Sequence, residues 1–561
     1  MQGRSYSVVL SGEAGQGLKT IESLFMVLLQ KSGYHAFIVK EFMSRVRGGN
    51  NTSEIRIAEK PVRAFVDRID LLVVLSRDGL DRLLDRIDEH TLIVGEEAYI
   101  TAKPVKGKLQ ALPVAELMKG LGNLIYSNNL FNGFLSASFG CDEEAARSLI
   151  TQQFASKGEE IIEKNQKAFS LGLELAQSLG IHFAIKASEE VKGKKAIKGY
   201  EAIGIGALAG GCNFVASYPM SPATTVLAYL AKHEREYSIL VEQAEDEIAA
   251  VNMALGAWYA GARAMVTTSG GGFALMTEGI SLAGITETPV VVHLGQRPGP
   301  GTGLPTRTEQ GDLNLALYAG HGDFPRVILA PGTYEDGIRY THHAFETADA
   351  FQVPVFVLTD QYYLDSEGIT DKLDFSMLEV TSHIVKTDAS YKRYRITESG
   401  LSERGIPGYG DGFVCVDSDE HTEEGRITES KDVRVQMMDK RLKKLHGYTD
   451  IEPRILGSKS YKTLIVGWGS TYGVIEEALA RVDDPNLAFA FFGQVYPLPK
   501  STASILQKAE KLIVVENNAT AQFAQLISRD LGIFFDKTIV QYNGSPFSVE
   551  QLVKALSEVH V

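Results

Sequence analysis

Six short runs recur at helix-length intervals between residues 196 and 370: FVASYP, SILVEQ, RAMVTTSG, PVVVHLG, RVILAP and PVFVLTD. They constrain the fold more than any other feature of the chain. Each is β-rich and apolar on both faces, which a strand tolerates only when helices cover both sides of its sheet. Strands alternating with helix-length segments make a parallel sheet. The same rhythm precedes them in SVVLS, HAFIVKEF, NTSEIRIA, DLLVVLS and HTLIVG, with RDGLDRLLDRI reading as a helix between the last two. Two amphipathic helices follow from about Asp142 to Gly180, with Ile161, Phe169, Leu173 and Ala176 near helical spacing. The rhythm resumes in TLIVGWG, AFAFFGQV, KLIVVENN and DKTIVQY.

The expectation is therefore an α/β chain of three units with largely parallel sheets, at 1–190, 196–370 and 456–561, the first doubly wound. The Lys/Glu-rich ASEEVKGKKAIKG reads as a linker near residues 186–198. Residues 371–455 lose the rhythm and are charged and glycine-rich, so they read as a connecting excursion and not as a domain.

Composition narrows the function classes. A formal charge of −14 without a basic stripe argues against nucleic acid as a partner. No apolar run approaches the ~20 residues that span a bilayer, so no membrane association is expected. The first residues, MQGRSYSVVLSG, enter a strand at once, so neither a secretory nor a transit segment is evident and a cytoplasmic location is expected. Cys141, Cys212 and Cys415 lie far apart and cannot supply four thiolates to an iron–sulfur cluster. No metal-ligand spacing is present, and any redox centre must come from another chain.

Three segments carry candidate chemistry. In VEQAEDEIAAVNMALGAWYAGARAMVTTSGGG, Glu247 opens an apolar helix, with Gly256 nine and Gly261 fourteen residues later. Acidity in a helix's first turn is also what the helix dipole favours, and Glu245 is a rival for any special role. The turn SYPMSPATT follows a strand; read plainly, Ser221 caps a helix and Pro222 occupies its first turn. The Gly/Pro-rich loop in HLGQRPGPGTGLPTRTEQGDLNLAL follows another strand, where ligands of open α/β sheets collect.

The glutamate with its glycine spacing resembles the pyrimidine-binding half of thiamine diphosphate enzymes. With SYPMSPATT ahead of it and GLPTRTEQ after it, the whole chain resembles the 2-oxoacid:ferredoxin oxidoreductases, as a fused γα subunit of the 2-oxoglutarate type. The resemblance implies an N-terminal γ domain (1–190), a pyrimidine-binding domain (196–370) and a C-terminal transketolase-C-like domain (456–561). It implies that Glu247 hydrogen-bonds the cofactor's aminopyrimidine. Tyr218, Pro219, Thr268, Ser269 and Gly270 would then contact the cofactor. Ser221, Thr224, Arg307 and Thr308 would bind the substrate, with Arg297 the alternative arginine and Thr302 and Gln310 as neighbours. An arginine's planar fork suits a carboxylate. Coenzyme A would be the co-substrate. A β subunit would hold the diphosphate, Mg²⁺ and an iron–sulfur cluster, in an (αβ)₂ assembly that reduces ferredoxin.

Two further motifs are set aside. Gly410-Asp411-Gly412 begins like a diphosphate–metal motif, but the asparagine required roughly 25–30 residues on is missing. GEAGQGLKT lacks the Gly-Lys step of a P-loop, because Leu18 intervenes. Its glycine-rich turn still presents backbone N–H groups to an anion. Arg45 and Arg47 would meet either CoA phosphates or a partner surface, and the loops GWGST, FGQVYPLP and VVENNATAQ either CoA, a partner or nothing. Two rival classes stay open. One is a self-contained thiamine diphosphate decarboxylase or transketolase-like enzyme. The other is a non-catalytic nucleotide-binding assembly subunit.

Overall fold

The computed structural model describes residues 3–13, 15–43, 49–371 and 373–558. Arg45 and Arg47 lie outside the described residues. The chain divides into two compact units. One comprises 1–197 with 366–373 and 548–551, and the other the remainder.

The first unit is built on an eight-stranded sheet. Ser5–Glu13 runs parallel to Leu71–Val74, which is followed by Leu92–Gly95 and Lys108–Ala111 in the same sense. On its other edge Ser5–Glu13 pairs antiparallel with Asn50–Ala58, and that strand antiparallel with His35–Glu41. The sheet is thus mixed, and the parallel doubly wound expectation holds only for its first half. The two-residue period of the strands sorts their side chains. Val8, Leu10, Ile55, Ile57, Leu71 and Val73 enter one apolar cluster, while Val9, Leu72, Val74 and Ile93 enter another. Helices Leu18–Lys31, Ser127–Phe139 and Glu159–Ser178 cover the first cluster. The last two approach closely because Gly133 and Gly172 face each other's backbones; a Cβ on either would strike a carbonyl oxygen.

RDGLDRLLDRI is not the expected helix. It is a series of turns ending in a single 3₁₀ turn, Leu84–Arg86. Arg86 is drawn out of any helical face by a bidentate bond to buried Glu54 (2.8 and 2.6 Å). Glu367–Thr370, sequentially at the end of the 196–370 stretch, pairs with His35–Glu41 in this first sheet, and Lys195–Lys198 forms the edge beyond it.

The second unit contains a seven-stranded sheet. Its strands are β1 (Phe214–Ser217), β2 (Leu240–Gln243), β3 (Ala264–Thr268), β4 (Val290–Gln296), β5 (Val327–Leu329), β6 (Pro354–Asp360) and β7 (Gln494–Tyr496). Their order is β7-β5-β6-β4-β3-β1-β2, parallel throughout except for the edge strand β7. The chain leaves β1 for β2 on one side and returns to β3 on the other. A crevice therefore opens at the carboxyl ends of β1 and β3, the switch point where open α/β sheets bind ligands.

A third, five-stranded sheet runs from Arg454–Gly457, antiparallel at the edge, through the parallel strands Leu487–Phe492, Thr463–Trp468, Lys511–Glu516 and Lys537–Val540. It is joined to the second sheet by polar loops. Gln310 Nε2 donates to the Trp468 carbonyl (2.8 Å) and its Oε1 accepts from Asn517 N (2.9 Å). The Ser470 hydroxyl donates to Asp360. The loops GWGST and VVENNATAQ are thus largely consumed in this joint, and FGQVYPLP supplies β7.

The excursion at 371–455 is anchored more deeply than its composition implied. Lys431–Lys443 is a helix, and beyond its first turns Lys440 and Lys444 are buried on Glu287. Arg404 and Arg263 share buried Asp349. Several charged residues here are interior, so charge density was an incomplete guide to exposure.

Candidate active site

Helix α1 (Thr224–Lys232) follows β1, α2 (Glu247–Tyr259) follows β2, and α3 (Gly270–Leu275) follows β3. The Asp246 carboxylate caps α2, accepting from Ala249 N at 2.7 Å. Ala250, Val251, Ala254, Leu255 and Trp258 recur at helical spacing and are buried. Gly261, at φ 98°, takes the left-handed step that ends the helix, which explains one of the two spaced glycines. Gly256 has open space beside it.

Glu247 stands in the first turn of α2, 3% exposed. Its Oε1 has no hydrogen-bond partner among the described residues. Leaving a buried carboxylate oxygen unsatisfied costs about 1–3 kcal/mol or more, so such an atom marks a place meant for something else. Glu245 is exposed, and only Glu247 points into the crevice wall. A Cβ on Gly272 would collide with Glu247 Oε1 and with Thr268 Oγ1, so the glutamate lies against the start of α3. Ser269, fully buried, also has an unpartnered hydroxyl, and Gly270, Gly271 and Gly272 present bare backbone. A carboxylate, a hydroxyl and a strip of glycine backbone fit a flat, hydrogen-bonding ring.

The turn after β1 closes the other side of the crevice. Ser217 donates to the Thr267 carbonyl and ties β1 to β3. Ser221 is exposed and does not cap α1, whose N-cap is Ala223; residues 221–223 form a turn. Tyr218 is exposed, while Pro219 and Thr224 are half-buried. A Cβ on Gly271 would just reach van der Waals distance of the Met220 sulfur and the Gly301 carbonyl, so the three loops converge there.

The two candidate arginines separate. Arg297 Nη1 donates to the Ser221 carbonyl at 2.8 Å. The rest of its guanidinium makes no other hydrogen bond among the described residues. Burial lowers its pKa, partly offset by Asp312. Arg307 instead packs its stem against Gly544, and Thr308 N donates to the Gly544 carbonyl at 3.1 Å. The Thr308 hydroxyl accepts from Tyr362 N at 3.1 Å. Geometry therefore brings Arg297, Ser221, Ser269 and Glu247 to one crevice and turns Arg307, Thr308 and Gln310 toward the third sheet. Thr302 is exposed.

Sequence reasoning missed three groups. Thr267, His293 and Thr359 form a buried ladder across β3, β4 and β6, with ring-to-hydroxyl distances of 2.7 and 2.8 Å. Burial pushes His293 down to about 3, so its ring is neutral. Asp312, under Gly270, is pushed up to about 6 by burial, against the pull of Arg297. Glu309 is raised to about 7 by burial and by Asp312. The signal for the last two was two acids three apart in a loop otherwise built from Gly, Pro and Thr.

Residues 205–440 match the family model described as pyruvate flavodoxin/ferredoxin oxidoreductase, thiamine diP-bdg, and residues 7–175 match pyruvate ferredoxin/flavodoxin oxidoreductase. The 2-oxoacid:ferredoxin oxidoreductase subunit alpha of Sulfolobus sp is 30% identical, over 99% of this chain and 96% of its own. The 2-oxoglutarate oxidoreductase subunit KorA of Mycobacterium tuberculosis is 30% identical over 92% and 86%. Among solved structures, the 2-oxoglutarate:ferredoxin oxidoreductase from Magnetococcus marinus, with 2-oxoglutarate, coenzyme A and succinyl-CoA bound, is similar with a TM-score of 0.92. It is 28% identical and each chain is 99% covered.

Fold and site together define a thiamine diphosphate-binding α/β oxidoreductase chain. More narrowly, the chain belongs to the α subunits of the 2-oxoacid:ferredoxin oxidoreductases. A subunit of that name is part of a multi-subunit enzyme. No helix among the described residues is long and apolar enough to cross a membrane.

Proposed function

We propose that this chain is the γ-fused α subunit that binds the aminopyrimidine of thiamine diphosphate and the 2-oxoacid. In our reading a β subunit holds the diphosphate, Mg²⁺ and an iron–sulfur cluster. The reaction is oxidative decarboxylation of 2-oxoglutarate with coenzyme A, or its reverse, with ferredoxin as electron carrier in an (αβ)₂ assembly. The observation that carries this is the unpartnered Glu247 carboxylate at the switch-point crevice. The dicarboxylate substrate and CoA are supported by the bound ligands of the Magnetococcus marinus relative and by the 2-oxoglutarate relatives.

Thiamine diphosphate, when bound, supplies the carbanion and electron-sink chemistry that side chains lack. Glu247 would hold the aminopyrimidine by accepting a hydrogen bond from its protonated ring nitrogen, which would favour the imino tautomer of the ring, the form whose exocyclic nitrogen can act as a base. Ser269 and Thr268 are placed to bond the ring edge, and the glycine strip lets it approach the backbone of α3. Arg297, with Nη1 tied to Ser221 and its remaining donors free, receives the substrate's 1-carboxylate, beside the exposed Ser221 hydroxyl. Tyr218, Ile248, Met253 and Leu275 expose apolar surface around the crevice, as expected of a half-site that another subunit covers.

The test is co-expression with a candidate β subunit, followed by CoA-dependent ferredoxin or dye reduction with 2-oxoglutarate, pyruvate and branched 2-oxoacids. Turnover is expected with 2-oxoglutarate foremost. Glu247→Gln should leave the complex assembled and remove at least about 100-fold of turnover, the size of a general acid–base contribution. Near-normal turnover of that variant would overturn the role. Activity of the purified chain alone with thiamine diphosphate and Mg²⁺ would overturn the split site.

A further inference from the structure

Beneath Arg297 lies a carboxyl group that the proposed reaction does not use. Asp312 is fixed from its backbone: its N–H donates to Gln296 Oε1 at 3.0 Å, and Gln296 Nε2 donates to the Thr359 carbonyl at 3.2 Å. Its side chain lies against the Cα of Gly270, where a Cβ would strike both carboxyl oxygens. Oδ2 is buried and has no hydrogen-bond partner. The charged groups facing it are Arg297, after β4, and Glu309, in its own loop. From α3 it meets only the glycine backbone beside the unpartnered Ser269 hydroxyl.

We propose that Asp312 is a proton-linked positioning residue: ionised while the site is empty, it holds Arg297 by charge, and it takes up a proton when the 2-oxoacid carboxylate replaces it as the counter-charge. This rests on the proposed binding of the substrate at Arg297. The physical ground is that a half-buried guanidinium cannot share its charge between two carboxylates without raising the pKa of one of them. Asp312 is the one that can yield. It has no hydrogen bonds holding Oδ2 in the charged form, and burial already brings it to about 6. No bond is made or broken; one proton passes from solvent to Asp312 as the anion enters. The substrate's charge is thereby matched in the pocket, and release of the carboxylate returns the proton.

The sign follows. With the free-enzyme pKa near 6, the protonated form binds the anion better, so kcat/KM for 2-oxoglutarate should fall as pH rises above about 6. The steepest fall is about tenfold per pH unit, with kcat changing little. The experiment is the pH profile of kcat and kcat/KM for the assembled complex, wild type, Asp312→Asn and Glu309→Gln. Asp312→Asn mimics the protonated form and should lose the falling limb while keeping kcat within a few-fold. Glu309→Gln should retain the limb, shifted to lower pH because a neighbouring negative charge is gone. A falling limb that survives in Asp312→Asn, or that disappears in Glu309→Gln instead, would overturn the proposal. So would a uniform loss of kcat in Asp312→Asn at every pH with assembly intact. If the wild-type complex oxidises no 2-oxoacid, the functional reading fails before this comparison is reached.

Discussion

Glu287 offers the sharpest test of how the long connector is held. It is fully buried at the turn after helix Thr277–Ile285, with φ at 50°. Lys440 Nζ bonds both of its carboxylate oxygens (2.8 and 2.6 Å) and Lys444 Nζ bonds it at 2.7 Å. Arg393 Nη2 donates to its carbonyl at 2.7 Å. Burial alone would raise this carboxyl, yet the surrounding cations hold it well below the usual carboxylate range. Burial lowers Lys444 to about 7 despite Glu287. Glu287→Gln therefore leaves the Lys440 and Lys444 side chains and the Arg393 guanidinium buried beside a neutral amide. Breaking a buried pair in this way costs about 3–5 kcal/mol. Urea unfolding at pH 7 should show that loss, and limited proteolysis should cut the 371–455 segment first. The pH dependence adds a second constraint. Lys444 has a folded pKa below its ordinary value of 10.5, so its contribution to stability is present above 10.5 and is lost as pH falls through about 7. Near pH 9 it is neutral in both proteins and no longer needs the carboxylate, so the deficit of the variant should shrink from pH 7 to 9. A deficit under 1 kcal/mol at pH 7, or one that grows with pH, would refute the reasoning.

Two other perturbations follow from the crevice. Gly272→Ala places a methyl against Glu247 Oε1 and Thr268 Oγ1; displacing the carboxylate by ~1 Å should cost on the order of 10²-fold in kcat, measured on the assembled complex alongside its Tm. His293 is neutral at about 3 in the folded chain against 6.5 ordinarily, so its contribution to stability is present above 6.5 and is lost as pH falls toward 3. Between those limits unfolding free energy should fall by up to ~1.4 kcal/mol per pH unit, and His293→Gln should flatten that slope in acid denaturation.

What the sequence disclosed and what it hid divide along physical lines. The strands of the second sheet were legible because a strand buried on both faces must be apolar throughout, and FVASYP, RAMVTTSG and PVVVHLG meet that demand without help from distant residues. The helix that Glu247 opens was legible through local constraints as well: the buried stripe of α2 and Gly261 as the left-handed stop. Interactions that depend on residues far apart were hidden. RDGLDRLLDRI has helical spacing, but Arg86 is claimed by Glu54, 32 positions away. The GLPTRTEQ loop reads as a substrate loop throughout, yet Thr308 and Gln310 are spent on Tyr362, Trp468 and Asn517, and no local pattern announces those partners. Arg297 and Arg307 are equivalent as letters; the Ser221 carbonyl that Arg297 meets and the Gly544 that the stem of Arg307 packs against are known from the fold alone. The connector is the extreme case. Lysines are the residues least expected inside a protein, and Lys440 and Lys444 are inside because one buried carboxylate, contributed by a different part of the chain, pairs with both. A charged segment in a sequence thus signals solvent only when no unpaired opposite charge is buried elsewhere, and that condition is a property of the fold.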